Sequence, residues 1–380
     1  MTVVKMDTRA IALVVMLLAA MAAACGNSAS PVPSTSPVPS TSPVPSASPV
    51  PSTPGTSSSG RGEQPAFQPV TVTDCTGTTS TFTSPPKRVA NLTRATLEML
   101  FWLGVQDSII GTQPPPPGAL PAQFDAAAQQ IPSLSGPYKA GSFKPVAKET
   151  LLGANPDFVI GGFTSNFDAA GATPQKDLTQ MGIKSYFAFS TACTSALSQP
   201  QTNLELVYRD LDNLGKIFGV QQRAADLISQ MKTRVQTVQD KIHSEGSRPS
   251  VFVFEYSEGT GDLSVSGNRQ TINAVIESAG GRNAFGDLDK AFGKAGWEEV
   301  IKRNPDVILL SIVGGTSAEE KAGAEKAKQF LMTYPPIQNL QVVKDRRFVE
   351  LVDGDGAIGG VRNAEGVEIV ARAIHPAAFR

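Results

Sequence analysis

The sequence predicts an α/β protein built from two related lobes with a long helix between them, and three observations carry that prediction. First, Glu149-TLLGANPDFVI and Glu298-EVIKRNPDVIL share one pattern: a glutamate opens a short amphipathic helix, Asn-Pro-Asp ends it, and an apolar run follows as a buried strand. Asn155, Pro156 and Asp157 align with Asn304, Pro305 and Asp306, and Leu152, Phe158, Val159 and Ile160 align with Ile301, Val307, Ile308 and Leu309. A repeat at so long a spacing means two lobes rather than a solenoid of short units. Second, short apolar runs alternate with helical patterns, which is the signature of a parallel sheet. Third, the middle of the chain turns wholly helical in its period.

The elements follow in order. Val70 to Phe82 alternates Val, Thr and Phe about an Asp74–Gly77 turn and reads as a hairpin. Val89 to Leu92 gives a strand, and a helix capped by Thr93 or Asn91 runs to Gly104. Ile109 to Thr112 is the next short strand, after which Pro114–Pro117 forces a loop. The repeat supplies a helix from Glu149 to Ala154, a strand from Phe158 to Ile160 and a turn at Gly161-Gly162-Phe163. Leu204, Val207, Tyr208, Leu211, Leu214 and Ile217 lie at helical spacing up to Gly219. Ala224, Leu227, Ile228, Met231, Val235, Val238 and Ile242 continue one apolar stripe to His243. This second helix of about 22 residues spans about 33 Å, enough to cross between lobes. The second lobe opens with a strand at Pro249-SVFVFEYS and a helix from Thr271 to Gly280-Gly281. The repeat helix and strand run from Trp297 to Ser311, followed by a helix of alternating charge from Ala318 to Tyr334. A strand at Arg347-FVELV and a helix from Asn363 close the chain.

Ahead of these lobes, Lys5 and Arg9 precede an apolar run from Ile11 to Ala24 that ends in small residues before Cys25. That is an export signal over residues 1–24, too short for a comfortable membrane span. A cysteine after small residues resembles the lipobox of bacterial lipoproteins, in which that cysteine is acylated; Ala22 stands where leucine is usual, and an ordinary cleaved signal is the alternative. PVPSTS repeats then run from Pro31 to Pro54, with Gly, Ser and Thr to about Gly62. Such a segment has no apolar surface to bury. Residues 25–66 therefore read as a lipidated, disordered tether of roughly 40 residues, reaching on the order of 100 Å as polyproline II. The remaining organisation is an N-terminal lobe at 67–200, a backbone-helix region at 201–245 and a C-terminal lobe at 246–380. The expected location is the outer face of the bacterial cytoplasmic membrane.

A net charge of −1 and the absence of a basic stripe argue against nucleic acid. With Cys25 used for lipid, Cys75 and Cys193 remain in an oxidising compartment and read as a disulfide. Two histidines, His243 and His375, lie far apart, which leaves no Ser-His-Asp or Cys-His set and no multi-histidine metal site. Gly354-Asp-Gly356-Ala-Ile-Gly359 matches the dinucleotide fingerprint, but the chain ends too soon for the further strand that fold requires. Asp353 and Asp355 are too close for a glycosidase pair. No enzyme constellation remains, no resident cofactor or metal is expected, and the protein reads as a monomer and a non-enzyme.

The run PKRVANLTRATLEMLFWLGVQDSIIGTQ resembles the substrate-binding lipoproteins of ABC importers for ferric siderophores, haem and cobalamin. So do LGKIFGVQQRAADLI, ESAGGRNAF, the two Glu-x6-Pro-Asp repeats and the closing VRNAEGVEIV. The resemblance extends from about Val70 to His375. It implies a Venus-flytrap of two Rossmann-like lobes joined by one rigid backbone helix, with ligand in the cleft and a small hinge movement. It also implies an ABC permease dimer with its ATPase as partner, and in such proteins one glutamate on each lobe docks to permease arginines; Glu149 and Glu298 match those positions. Two exposed carboxylates at pseudo-symmetric places suit a two-fold partner with two basic pockets, although an acidic residue is also favoured near any helix N-terminus. Glu299 leaves a one-residue ambiguity.

Ligands of open α/β sheets sit at the C-terminal ends of strands. That nominates Arg94 with Thr93, Tyr138 with Lys139, and Phe163 on the first lobe, and Tyr256, Trp297 and Arg362 on the second. Arginines with aromatics suit a large, anionic, partly apolar chelate carrying Fe(III), whose chelator supplies the metal ligands. A ferric siderophore is the favoured ligand; haem, cobalamin or a deazaflavin cofactor precursor are alternatives. A secreted enzyme would need a catalytic set, and a wall-associated structural lipoprotein would explain the tether but not two lobes.

Overall fold

The computed structural model describes residues 67–138, 145–168, 170–191, 199–256, 263–312, 318–352 and 354–380, without the side chains of 318–320. All belong to one compact unit, Gln64–Arg380. Cys25, Lys139 and Cys193 lie outside the described residues, and Cys75 is disulfide-bonded.

The predicted hairpin forms from β1 (Val70–Thr73) and β2 (Thr79–Phe82), antiparallel. The buried Asp74 closes its turn by accepting the N–H groups of Thr76 and Thr78, at 2.9 and 3.1 Å. Its second oxygen accepts the Phe187 N–H at 2.9 Å, which ties the hairpin to the sheet behind it. That sheet comes from β3 (Val89–Asn91), α1 (Arg94–Leu103), β4 (Ile109–Thr112), α2 (Ala122–Ala128), α3 (Lys148–Gly153), β5 (Phe158–Gly161), α4 (Gln175–Gln180) and β6 (Lys184–Phe187). Its strands are all parallel, in the order β4-β3-β5-β6. Every residue of β5 is buried, as a central strand flanked by helices requires.

Two helices follow, of which the second reaches the second lobe. α5 (Glu205–Phe218) ends at Gly219, which takes the left-handed conformation at φ 71°. α6 (Gln221–Ile242) then runs 22 residues, the length its apolar stripe predicts. It packs on α5 and α1 of the first half.

The second lobe contains β7 (Ser250–Glu255), β8 (Leu263–Ser266), α7 (Thr271–Ser278), β9 (Arg282–Asn283), β10 (Phe292–Ala295), α8 (Trp297–Arg303), β11 (Val307–Ile312), α9 (Ala318–Thr333), α10 (Gln341–Lys344), β12 (Phe348–Val352) and α11 (Asn363–Ile374). Its main sheet is again parallel, in the order β12-β11-β7-β9. α11 packs on both α6 and α7, so α6 bridges the halves as expected of a strut.

The two sheets are copies. Each puts its first strand beside its second on one side and its third on the other, with the fourth outermost. Even the register agrees: Val89 faces Phe158 in one sheet, and Val251 faces Val307 in the other. The repeated Asn-Pro-Asp has a local cause. Asn155 and Asn304 have φ of 52° and 42°, a left-handed conformation that asparagine tolerates better than most side chains. The following aspartates reach back to the first strand: Asp157 accepts the N–H groups of Lys87 and Arg88 at 2.9 and 3.0 Å, and Asp306 that of Ser250 at 2.7 Å. The motif therefore ends a helix and pins the start of the neighbouring strand in both lobes.

α2, α4, β6, β9, α10 and the small antiparallel pair of β8 with β10 have no counterpart among the elements expected from the sequence. Among the described residues no helix is long and apolar enough to cross a membrane.

Candidate functional site

Both sheets change winding direction between their first and third strands, the point at which open α/β sheets receive ligands. A cavity of about 390 Å³ lies between the lobes, beside the ends of the third and fourth strands of the first sheet rather than at that point itself, with walls from both lobes. The first lobe contributes Phe163 and Thr164, which follow β5, and Thr191, which follows β6. The second contributes Arg269 and Gln270 before α7, and Asp289, Lys290, Ala291 and Phe292 leading into β10.

The cavity's polar groups are arranged unequally. Arg269 grips Asp289 through two hydrogen bonds of 2.8 and 2.6 Å. Those bonds hold the Asp289 carboxyl below its ordinary value and the guanidinium above its own. Lys290 beside them is exposed and forms no ion pair among the described residues. Phe292 is about half exposed (51%), so a large apolar ring stands open to solvent on the second lobe, with Phe163 on the first. One free cation, one neutralised pair and two aromatics suit a partly apolar anion.

The floor of the cavity joins the lobes. Thr271, next to the lining Gln270, donates its hydroxyl to the Ser190 carbonyl at 2.5 Å. Ser190, next to the lining Thr191, is held in turn by Asp210 of α5. One Asp210 oxygen accepts the Tyr186 hydroxyl and the Phe189 N–H, at 2.6 and 2.8 Å. The other accepts the Ser190 N–H and hydroxyl, at 2.8 and 2.6 Å. Burial pushes the Asp210 carboxyl above its ordinary value, while these donors pull it back. Burial and the Asp210 charge raise the Tyr186 phenol well above its own. Nearby, Asn273 donates to the Gln201 carbonyl, and the Gln201 N–H to the Asn268 carbonyl, both at 2.8 Å.

Of the sequence-nominated residues that are described, only Phe163 lines this cavity. Arg94 opens α1 half-buried, and Tyr138 is 40% exposed at the edge of the described chain. Tyr256 packs on Phe254 and Phe330, with ring centroids 6.3 and 5.8 Å apart. Trp297 does not face the cleft. It is 3% exposed inside an aromatic cluster with Phe252, Phe254, Phe330 and Tyr334, because it is the inward-facing first residue of α8. Arg362 likewise turns into the protein, where it pairs with Glu98 and Asp355. Glu149 and Glu298 are exposed in the first turns of α3 and α8, and neither forms an ion pair among the described residues. Glu299, the other residue at that place in the second lobe, is bound to Arg303 at 2.9 Å.

Arg269, Asp289, Lys290, Phe292 and Thr191 were not legible as site residues. The alternation of Leu263-Ser-Val-Ser, followed by a Gly267-Asn268 turn, was the available signal for the β8 edge that carries Arg269. Among the described residues no group of three or more His, Cys, Asp or Glu side chains could hold a metal ion.

Comparison with known proteins agrees with this architecture. Residues 89–353 match the periplasmic binding protein family. The chain is 24% identical over 319 residues to an ABC transporter substrate-binding lipoprotein of Bacillus subtilis, covering 82% of this chain and 87% of that protein. It is 26% identical over 250 residues to a cobalamin-binding protein of Halobacterium salinarum, covering 64% of this chain and 59% of that protein. Among solved structures, a periplasmic binding protein from Veillonella parvula has a TM-score of 0.68 at 23% identity, covering 81% of this chain and 98% of that one. A protein of an ABC-type Fe3+-hydroxamate transport system from Saccharomonospora viridis has a TM-score of 0.66 at 24% identity, with 81% and 99% covered.

Proposed function

The chain belongs to the periplasmic binding protein family, and from that premise we propose that it captures a ferric siderophore in the interlobe cavity and delivers it to an ABC-type permease dimer with its ATPase. In this reading the export signal and Cys25 anchor it by lipid to the outer face of the cytoplasmic membrane, and the Pro-Ser-Thr tether lets the lobes reach outward. The observation that carries the ligand class is the cavity wall: exposed Phe292 and Lys290 on one lobe face Phe163 on the other. A ferric chelate with anionic character and apolar arms meets a cation and two flat rings there. The chelator fills the coordination sphere of Fe(III), so the protein needs no metal ligands of its own. Glu149 and Glu298, exposed at equivalent places, are the proposed contacts for basic pockets on the permease.

A second reading is favoured by the relative in Halobacterium, which is named for cobalamin binding. Cobalamin would use the same rings but would gain little from Lys290.

The test is a titration of the full-length chain followed by tryptophan emission. Ferric hydroxamates, ferric catecholates, haemin and cobalamin are added in turn. Saturable change with a ferric chelate at submicromolar concentration, weakened by Lys290→Glu, is the expected result. Response to cobalamin alone would replace the ligand. Response to none of the four would remove the proposal.

A further inference from the structure

The glycine motif Gly354-Asp-Gly356-Ala-Ile-Gly359 has a packing cause: each of its glycines sits at a close approach. A Cβ on Gly354 would overlap the Arg362 guanidinium, one on Gly356 the Leu351 and Ile272 side chains, and one on Gly359 the Ser190 side chain of the other lobe. The loop is thus pressed into the seam between lobes, and it leaves a slot through which Arg362 reaches across.

What Arg362 reaches is Glu98, on α1 of the first lobe. Nε and a terminal nitrogen donate to the two carboxylate oxygens at 2.9 and 2.8 Å, and the terminal nitrogen also donates to the Ala119 carbonyl at 2.8 Å. The Glu98 side chain is 3% exposed and that of Arg362 16% exposed. The partnership is unequal: Arg362 keeps Asp355 of its own lobe at 2.9 Å, whereas among the described residues Arg362 is the one cation paired with Glu98. The other donor to Glu98 is the Trp102 indole, at 3.2 Å. Parting the lobes at this point breaks a two-pronged, charge-assisted contact and leaves a sunken carboxylate without its cation.

We propose that Glu98 and Arg362, seated by the glycine loop, form an interlobe clasp that sets the resting width of the ligand cleft. Arg362 is then a positioning residue that acts through Glu98 and touches no ligand. That cleft width governs capture rests on the ligand-binding reading above; the clasp itself does not.

The experiment measures the ligand-free, full-length chain. Nitroxide-bearing non-canonical residues are placed at Gln180 on α4 and Lys326 on α9, both exposed and on opposite lobes, and the distance distribution is read by pulsed dipolar spectroscopy. Glu98→Gln and Arg362→Met should each broaden that distribution at least about twofold. Arg362→Lys, which keeps the charge but loses the fork, should fall between them and the parent. A ferric trihydroxamate should bind the broadened variants about three- to tenfold more weakly, because binding must then select a narrower population. Parent-like widths in both Glu98→Gln and Arg362→Met overturn the clasp, and should the arginine variant fail to fold, Glu98→Gln alone decides. Failure of the parent to bind any chelate would count against the ligand reading, while the widths still judge the clasp.

Discussion

Asp210→Asn should be among the most damaging isosteric changes in the protein, and the structure allows its size to be worked out. Four donors end on this fully buried carboxylate: the Tyr186 and Ser190 hydroxyls and the Phe189 and Ser190 N–H groups. An amide of the same shape offers one acceptor oxygen and one NH2 group. If the oxygen serves Tyr186 and Phe189, the NH2 faces Ser190. The serine hydroxyl can rotate and accept, but its N–H cannot, and a buried donor left unpaired costs about 1–3 kcal/mol. The three surviving bonds also lose their charge assistance, worth about 1 kcal/mol together or somewhat more. The sum is about 3 kcal/mol, against the 5–15 kcal/mol typical of a whole domain. With a urea slope of about 3 kcal/mol/M for a large unit, the midpoint should fall by about 1 M. Far-ultraviolet circular dichroism of the full-length chain at neutral pH reads this directly. Tyr186→Phe, which removes one donor and leaves the carboxylate three, should shift the midpoint by less than half as much. A midpoint for Asp210→Asn within about 0.2 M of the parent would refute the reasoning, because it would mean that the four donors are satisfied elsewhere.

Four further outcomes are expected. Asp289→Asn should tighten binding of anionic ferric chelates several-fold by releasing Arg269 toward the cavity, as measured by the same emission titration. Because hydrogen bonding to Arg269 lowers the Asp289 carboxyl, its contribution to stability is present above the ordinary value of 3.8 and is lost as pH falls through the folded value; thermal melts of the parent should therefore decline more steeply below that pH than those of Asp289→Asn. Charge reversal at both Glu149 and Glu298 should abolish uptake by cells while leaving chelate affinity unchanged, and a loss of affinity would place these side chains in ligand binding instead. Asn304→Ala should destabilise by about 1 kcal/mol, since alanine resists the left-handed conformation, whereas Asn304→Gly should be close to neutral in the same urea titration.

Which parts of this molecule could be read from its sequence follows from how local their causes are. The 22-residue α6 was legible because one apolar stripe and one glycine define it. The two halves were legible because Asn-Pro-Asp is spelled out twice. β6 was missed because Lys184-Ser-Tyr-Phe owes its strand to pairing with β5 and to Asp210 and Asp74 behind it, none of which is local. Trp297 opens the repeat helix, which by position puts it near the cleft; its indole turns inward because it shares the buried side of α8 with Val300 and packs among Phe252, Phe254, Phe330 and Tyr334. Arg362 was nominated on position alone, and its true partner, Glu98, lies far away in sequence. Sequence spacing brings a residue to a strand end, but it does not say whether the side chain meets a ligand or the other lobe.

The repeat itself divides into a part the fold explains and a part it does not. Asparagine is there for a left-handed turn, proline to stop the helix, and aspartate to hold the N–H groups that start the adjacent strand. The apolar residues fill two equivalent sheets. The glutamates have no such duty: neither Glu149 nor Glu298 pairs with any described residue, and the helix-terminus effect of a surface carboxylate is worth only about 0.3–1 kcal/mol. On α8 that effect is already supplied by Glu299, which Arg303 also holds. The same copied geometry nevertheless sets both glutamates on the first turn of a helix that leads into the third strand of its sheet. Two exposed carboxylates without internal work, one on each half of a pseudo-symmetric protein, are what a two-fold partner with basic pockets would need in order to take both lobes at once.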